Sequence, residues 1–102
     1  MRKMIEINKI SGIGKILERV EKDRKVFAVL ENEKVFLVEN KNTIEVRTDA
    51  KLGRKLREDY ESVMESRYFG RGGIEIVDSG QLSETEIADL IRLSYNLTKE
   101  IE

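Results

Sequence analysis

Three short β-branched and aromatic runs, separated by connections too short for anything but a turn, constrain the fold of this chain more than any other feature. Lys25 to Glu31 holds Val26, Phe27, Ala28, Val29 and Leu30; Lys34 to Glu39 holds Val35, Phe36, Leu37 and Val38. Thr43 to Thr48 alternates Ile44 and Val46 with Glu45 and Arg47. Such runs read as strands. The joints Asn32-Glu33 and Asn40-Lys41-Asn42 are hairpin-like, because Asn tolerates left-handed backbone. Strands joined this closely must run antiparallel, so the region predicts a β-meander.

Helical signals follow. Asp49 is placed to cap a helix from Ala50 to about Met64, with Leu52, Leu56, Tyr60 and Val63 on one face. Gly53 within it costs about 1 kcal/mol relative to Ala. Ile74 and Ile76 alternate with Glu75, a half-buried strand, and Asp78-Ser79-Gly80 supplies a turn. Ser83 and Glu86 have capping-box spacing, which starts a second helix. Ile87, Leu90, Ile91, Leu97 and Ile101 form its apolar face, with Ser94 in their midst and positioned to bond back to a carbonyl one turn earlier.

The N-terminal segment is ambiguous. Residues 1–12 fit a short helix slightly better than a strand. Ile13, Ile16, Leu17 and Val20 have helical spacing, yet Ile16, Glu18 and Val20 also alternate. Gly12-Ile13-Gly14-Lys15 has part of a phosphate-loop pattern, but Lys9 and Ile16 stand where that pattern needs Gly and Ser or Thr, so a plain turn is the better reading. The expected architecture is α+β: an antiparallel meander with helices packed on one face, in a single domain spanning residues 1–102.

Composition narrows the chemistry. The chain has neither Cys nor His, which removes disulfides, thiol nucleophiles and the usual zinc sites. No stretch has the roughly 20 apolar residues of a membrane span, and the start lacks a secretory signal, so a cytoplasmic location is the expectation. Charged residues make up 38% of the chain, a composition also met in heat-adapted proteins. The net charge of −1 is unevenly spread: residues 1–50 and 51–73 each carry +2, and residues 74–102 carry −5. Binding to nucleic acid would therefore use a local patch.

Two stretches offer one. Lys51, Arg54, Lys55 and Arg57 occupy the N-terminal half of the first helix, opposing its dipole, so they are not there for helix stability. They suit an anionic partner or, as charge runs commonly do, a solvated face. Arg67-Tyr68-Phe69-Gly70-Arg71-Gly72-Gly73 sets two arginines beside two aromatics. Arginine forks bind phosphate and aromatics stack on bases; equally, Tyr68 and Phe69 can anchor the loop to the core. The candidate phosphate contacts are Lys51, Arg54, Lys55, Arg67 and Arg71, with Tyr68 stacking. Glu84, Glu86 and Asp89 could hold a hard cation weakly, but helix-start preference already accounts for the first-turn pair. No catalytic residue, metal ligand or cofactor is assigned.

Lys25-Val-Phe-Ala-Val-Leu30, Asp49-Ala-Lys-Leu-Gly-Arg-Lys-Leu-Arg-Glu-Asp-Tyr60 and Leu82-Ser-Glu-Thr-Glu-Ile-Ala-Asp-Leu-Ile-Arg-Leu-Ser-Tyr95 together resemble the MmcQ/YjbR-like family. The collinear likeness runs from about Lys25 to Ile101. The N-terminal domain of TfoX-type competence regulators is a second resemblance, through the same Phe-Ala strand. Where the MmcQ/YjbR-like family often has a His- and Trp-bearing loop, this chain has Arg67 to Gly73. The resemblance implies a CyaY-like double-wing fold and a DNA-binding role, with no defined reaction. A homodimer joined by exposed sheet edges is the alternative expectation.

Overall fold

In the computed structural model, which describes residues 7–101, the chain's alternating runs build one six-stranded sheet in the order β1-β2-β3-β4-β6-β5, antiparallel throughout. The strands are β1 (Ile16–Glu21), β2 (Arg24–Val29), β3 (Val35–Glu39), β4 (Thr43–Arg47), β5 (Val63–Ser66) and β6 (Gly70–Val77). Helix α1 (Ala50–Asp59) lies against β5 and β6, and α2 (Glu84–Lys99) against β2, β3 and β4. Both helices join one core cluster, so they cover the same face of the sheet.

The meander forms where its turns demand it, although the left-handed residue of the β2–β3 connection is Glu33 (φ 60°), not Asn32. Asn32 has another task. Its side-chain amide donates to the carbonyls of Thr98 (2.8 Å) and Ile101 (3.0 Å), satisfying orphan groups at the end of α2. The capping box forms as read from the sequence: the Glu86 N–H donates to the Ser83 hydroxyl and the Ser83 N–H to the Glu86 carboxylate.

Two expectations are corrected, the end of the first helix and the buried stripe of the second, and one open reading is settled. The first helix ends at Asp59 rather than Met64; Tyr60 is already extended, and β-branched Val63 opens an edge strand on β6. Residues 16–21 settle as a strand because the two-residue turn Lys22-Asp23 folds them onto β2. Of the first segment only a 3-10 turn, Ile7–Lys9, is described; the helix-or-strand reading of residues 1–6 lies outside the described residues. The buried stripe of α2 is also rotated from the expected one. Ile87, Ile91, Ser94, Tyr95 and Thr98 are buried, whereas Leu90 and Leu97 are half-buried and Ile101 is 36% exposed.

Ser94 shows why the helix can sit so close. A bulge between Phe27 and Ala28 lets the successive residues Phe36 and Leu37 both enter the helix-side core. The interrupted ladder leaves the Phe36 carbonyl and the Arg47 N–H in need of partners. The Ser94 hydroxyl donates to the first (2.6 Å) and accepts from the second (2.8 Å). It bridges two strands rather than bonding back within its own helix; Thr98 makes that back-bond, to the Ser94 carbonyl. Gly53 is likewise a contact residue: a Cβ there would lie 2.8 Å from the Thr48 hydroxyl, so close approach of α1 replaces the expected simple propensity cost.

Candidate functional site

The second face of the sheet carries no helix, yet it is not open to water. The β5–β6 connection, residues 67–69, folds back across it as a strap. Tyr68 and Phe69 pack on a smaller cluster of Val26, Ala28, Val35 and Val38. Their rings meet edge to face at 5.0 Å. The Arg24 guanidinium lies 5.0 Å from the Tyr68 ring centre and that of Arg47 4.7 Å from Phe69, so cations bracket the aromatic pair. Arg47 Nε also donates to the Val35 carbonyl at 2.9 Å. Burial pulls the Arg47 pKa down from its ordinary value, opposed by Tyr68. Gly73 makes room for the strap: a Cβ there would meet the Val46 carbonyl at 2.5 Å and Phe69 Cβ at 2.8 Å.

Beneath the strap are two carboxylates directly opposite each other on β4 and β6, Glu45 (0% exposed) and Glu75 (4% exposed). The alternating pattern predicted a half-buried strand with Glu75 toward solvent; the strap overturns this by covering the polar face. Like charges opposed across a ladder repel, and buried charges are costly unless satisfied. Here every carboxylate oxygen has a donor. Glu45 accepts from the Ser66 hydroxyl (2.7 Å), the Tyr68 N–H (2.8 Å) and the Asn40 amide (2.8 Å). Glu75 accepts from Thr43 (2.6 Å) and, bidentately, from Arg67 Nε (2.9 Å) and Nη2 (2.7 Å). Burial alone would raise the Glu75 pKa. The Arg67 and Thr43 hydrogen bonds and the guanidinium charge outweigh burial and hold it below the usual 4.5.

This lock divides the six candidate residues. Arg67 turns one edge of its guanidinium, Nε and Nη2, to Glu75, while its side chain stays largely exposed. Tyr68 is a half-buried strap residue, sandwiched between Phe69 and Arg24, as expected of a core anchor. Lys51, Arg54 and Lys55 share one exposed face of α1, where they line a shallow depression of about 660 Å³ with Asp49, Leu52 and Glu58. Lys55 pairs with Asp59 at 3.3 Å. Lys51 and Arg54 are exposed and, among the described residues, engage no carboxylate, and the same holds for Arg71. Arg71 stands near the start of α1, because the Thr48 N–H bonds the Gly72 carbonyl (3.0 Å) immediately before that helix.

Among the acidic residues of α2, the Glu86 carboxylate closes the capping box and Asp89 pairs with Arg92 at 2.7 Å. Among the described residues there is no group of three or more Asp, Glu, His or Cys able to hold a metal ion. Among the described residues no helix is long and apolar enough to cross a membrane. Sequence reasoning missed Glu45, Asn40, Thr43 and Ser66. The only signal was a charged residue in each of two apolar runs, which reads identically whether it faces water or a covering loop.

No family model matches the chain, and no curated protein matches it. Solved structures do. Deinococcus radiodurans protein DR2400, described as a DUF419 domain, superposes with a TM-score of 0.78 at 16% identity, over 91% of this chain and 75% of that one. A Pseudomonas syringae protein superposes with a TM-score of 0.71 at 19% identity, over 81% of this chain and 86% of that one. At such identities the likeness is one of fold.

Proposed function

We propose that this domain is a non-enzymatic binding module of the MmcQ/YjbR type whose partner is a phosphate-bearing polymer, nucleic acid above all. The contact surface is the α1 stripe of Lys51, Arg54 and Lys55, extended by Arg71 at the same end of the sheet. The observation that carries the reading is the unpaired state of Lys51, Arg54 and Arg71 among the described residues, all exposed, beside a helix start whose dipole they oppose. A fold gains nothing internally from cations in that position, whereas a row of phosphates would. Arg67 and Tyr68 support the surface from behind by keeping the strap shut. Each oxygen of the two buried carboxylates accepts from a protein donor, and in this reading Glu45 and Glu75 hold the strap.

Phosphate contacts release counterions, so affinity should fall steeply with salt. Labelled duplex and single-stranded DNA titrated at low and moderate salt tests this. Binding at low salt that weakens in Lys51→Glu/Arg54→Glu and in Arg71→Glu is expected. Absence of low-salt binding, or full affinity in all three substitutions combined, overturns the reading.

A further inference from the structure

Four arginines are half-buried among the described residues, and one of them lacks a partner. Arg24 lies over Tyr68 and reaches Glu21. Arg47 lies over Phe69 and donates to the Val35 carbonyl. Arg92 binds Asp89 and the Ser11 carbonyl. Arg57 engages no carboxylate, carbonyl or ring among the described residues. From this contrast we infer that Arg57 seats a single phosphate group and is the fixed point of the α1 surface. The inference rests on the proposed function in taking that phosphate from a polymer.

The position of the guanidinium excludes the simpler reading of Arg57. A cation in the last turn of a helix ordinarily serves the negative end of the dipole. Helical side chains lean toward the N-terminus, and this one runs back beside Gly53, the only buried residue of α1. Its Nη1 lies 3.4 Å from where a Cβ on Gly53 would stand, a turn away from the last carbonyls. Ion pairing does not hold it either: Glu58, Asp59 and Glu61 follow in sequence, and none pairs with it. The Thr48 hydroxyl approaches the same point to 2.8 Å from a deeper position, and it too has no hydrogen-bond partner.

Polar groups drawn out of water normally find partners. A guanidinium has donors only, so what is missing here is an acceptor, and two oxygens of a phosphate match its fork. Lys51 and Arg54 are exposed and attract phosphates from a distance. A half-buried fork has less freedom to lose on binding, so it decides where along the polymer a phosphate rests.

The first test uses inorganic phosphate alone on the isotope-labelled chain. The Arg57 Nε–H resonance should shift and saturate, while that of Arg92 stays in place. An unmoved Arg57 signal, or the same unsaturating drift at Arg57 as at Arg54, overturns the seat. The second test uses labelled single-stranded and duplex DNA. Arg57→Lys keeps the charge and loses the fork, and should weaken binding roughly tenfold; Arg19→Lys on β1 should leave it unchanged. Arg57→Ala should reduce the slope of log affinity against log salt by about one. Both Arg57 variants should melt close to the parent, since the side chain has no internal bond to lose. Full affinity in Arg57→Lys, with weak binding in Lys51→Glu/Arg54→Glu, overturns the inference and leaves the proposed function standing. Saturable phosphate at Arg57 in a chain that binds no DNA does the reverse.

Discussion

The two faces of the sheet exclude water by opposite means. The helix face does it with volume: Phe36, Ile74, Ile76, Ile87, Ile91 and Tyr95 interlock, with Phe36 and Tyr95 in an edge-to-face contact at 5.2 Å. The strap face has only a small apolar cluster and completes it with a hydrogen-bonded lid, closed on two carboxylates. Apolar packing is non-directional and survives small shifts, whereas a buried carboxylate is tolerable only while its donors stay in place. The first face should therefore set global stability, and the second should set local opening of the strap.

The largest effect is expected on the helix face. Phe36→Ala removes a fully buried ring and should cost about 3–5 kcal/mol of unfolding free energy in a denaturant titration. Glu45→Ala should cost less, about 1–3 kcal/mol, because of the three donors it strands only the Ser66 hydroxyl is fully buried, while the Tyr68 N–H and the Asn40 amide are partly open to water. Its distinctive readout is faster tryptic cleavage after Arg67, within the strap, and Arg71, just past it. If Glu45→Ala destabilises as much as Phe36→Ala and leaves cleavage unchanged, the faces act as one core and the contrast fails.

Acid should act mainly on the strap. The Glu75 carboxyl is held below 4.5 in the folded chain, so its contribution is complete above that value and is lost as pH falls through the folded pKa. Glu39 is opposite in sign. Burial raises its pKa, Lys25 counters, and Glu18 and Asp78 add to the rise, so it subtracts stability as pH climbs past 4.5. Stability measured from pH 5 downward should fall in the parent chain and fall less in Arg67→Ala, with Glu39→Gln correcting for the second group. An unchanged acid limb in Arg67→Ala would mean that the fork does not set the Glu75 charge. The smallest effect sharpens the helix-face claim: Gly53→Ala should be neutral or slightly destabilising in thermal melts, because the contact with Thr48 cancels the propensity gain of about 1 kcal/mol. A clear gain would show that α1 sits less tightly on β6 than described.

By itself the sequence determined where the central strands lie, the alternation within β4 and β6, the short connections of the meander, and the starts of both helices. All of these rest on contacts between residues a few positions apart: Asp49 with Leu52, Ser83 with Glu86, and strand neighbours across short connections. Among the candidate site residues, the α1 stripe was legible for the same reason, since a helix brings Lys51, Arg54 and Lys55 together without outside help. Tertiary structure alone decided that Glu45 and Glu75 lie inside, that Arg67 belongs to Glu75, and that residues 16–21 and 63–66 are edge strands. A period of two says which side chains share a face, but not what covers that face. Here the cover arrives from a loop 21 to 23 residues away from Glu45, and no local pattern encodes such a meeting.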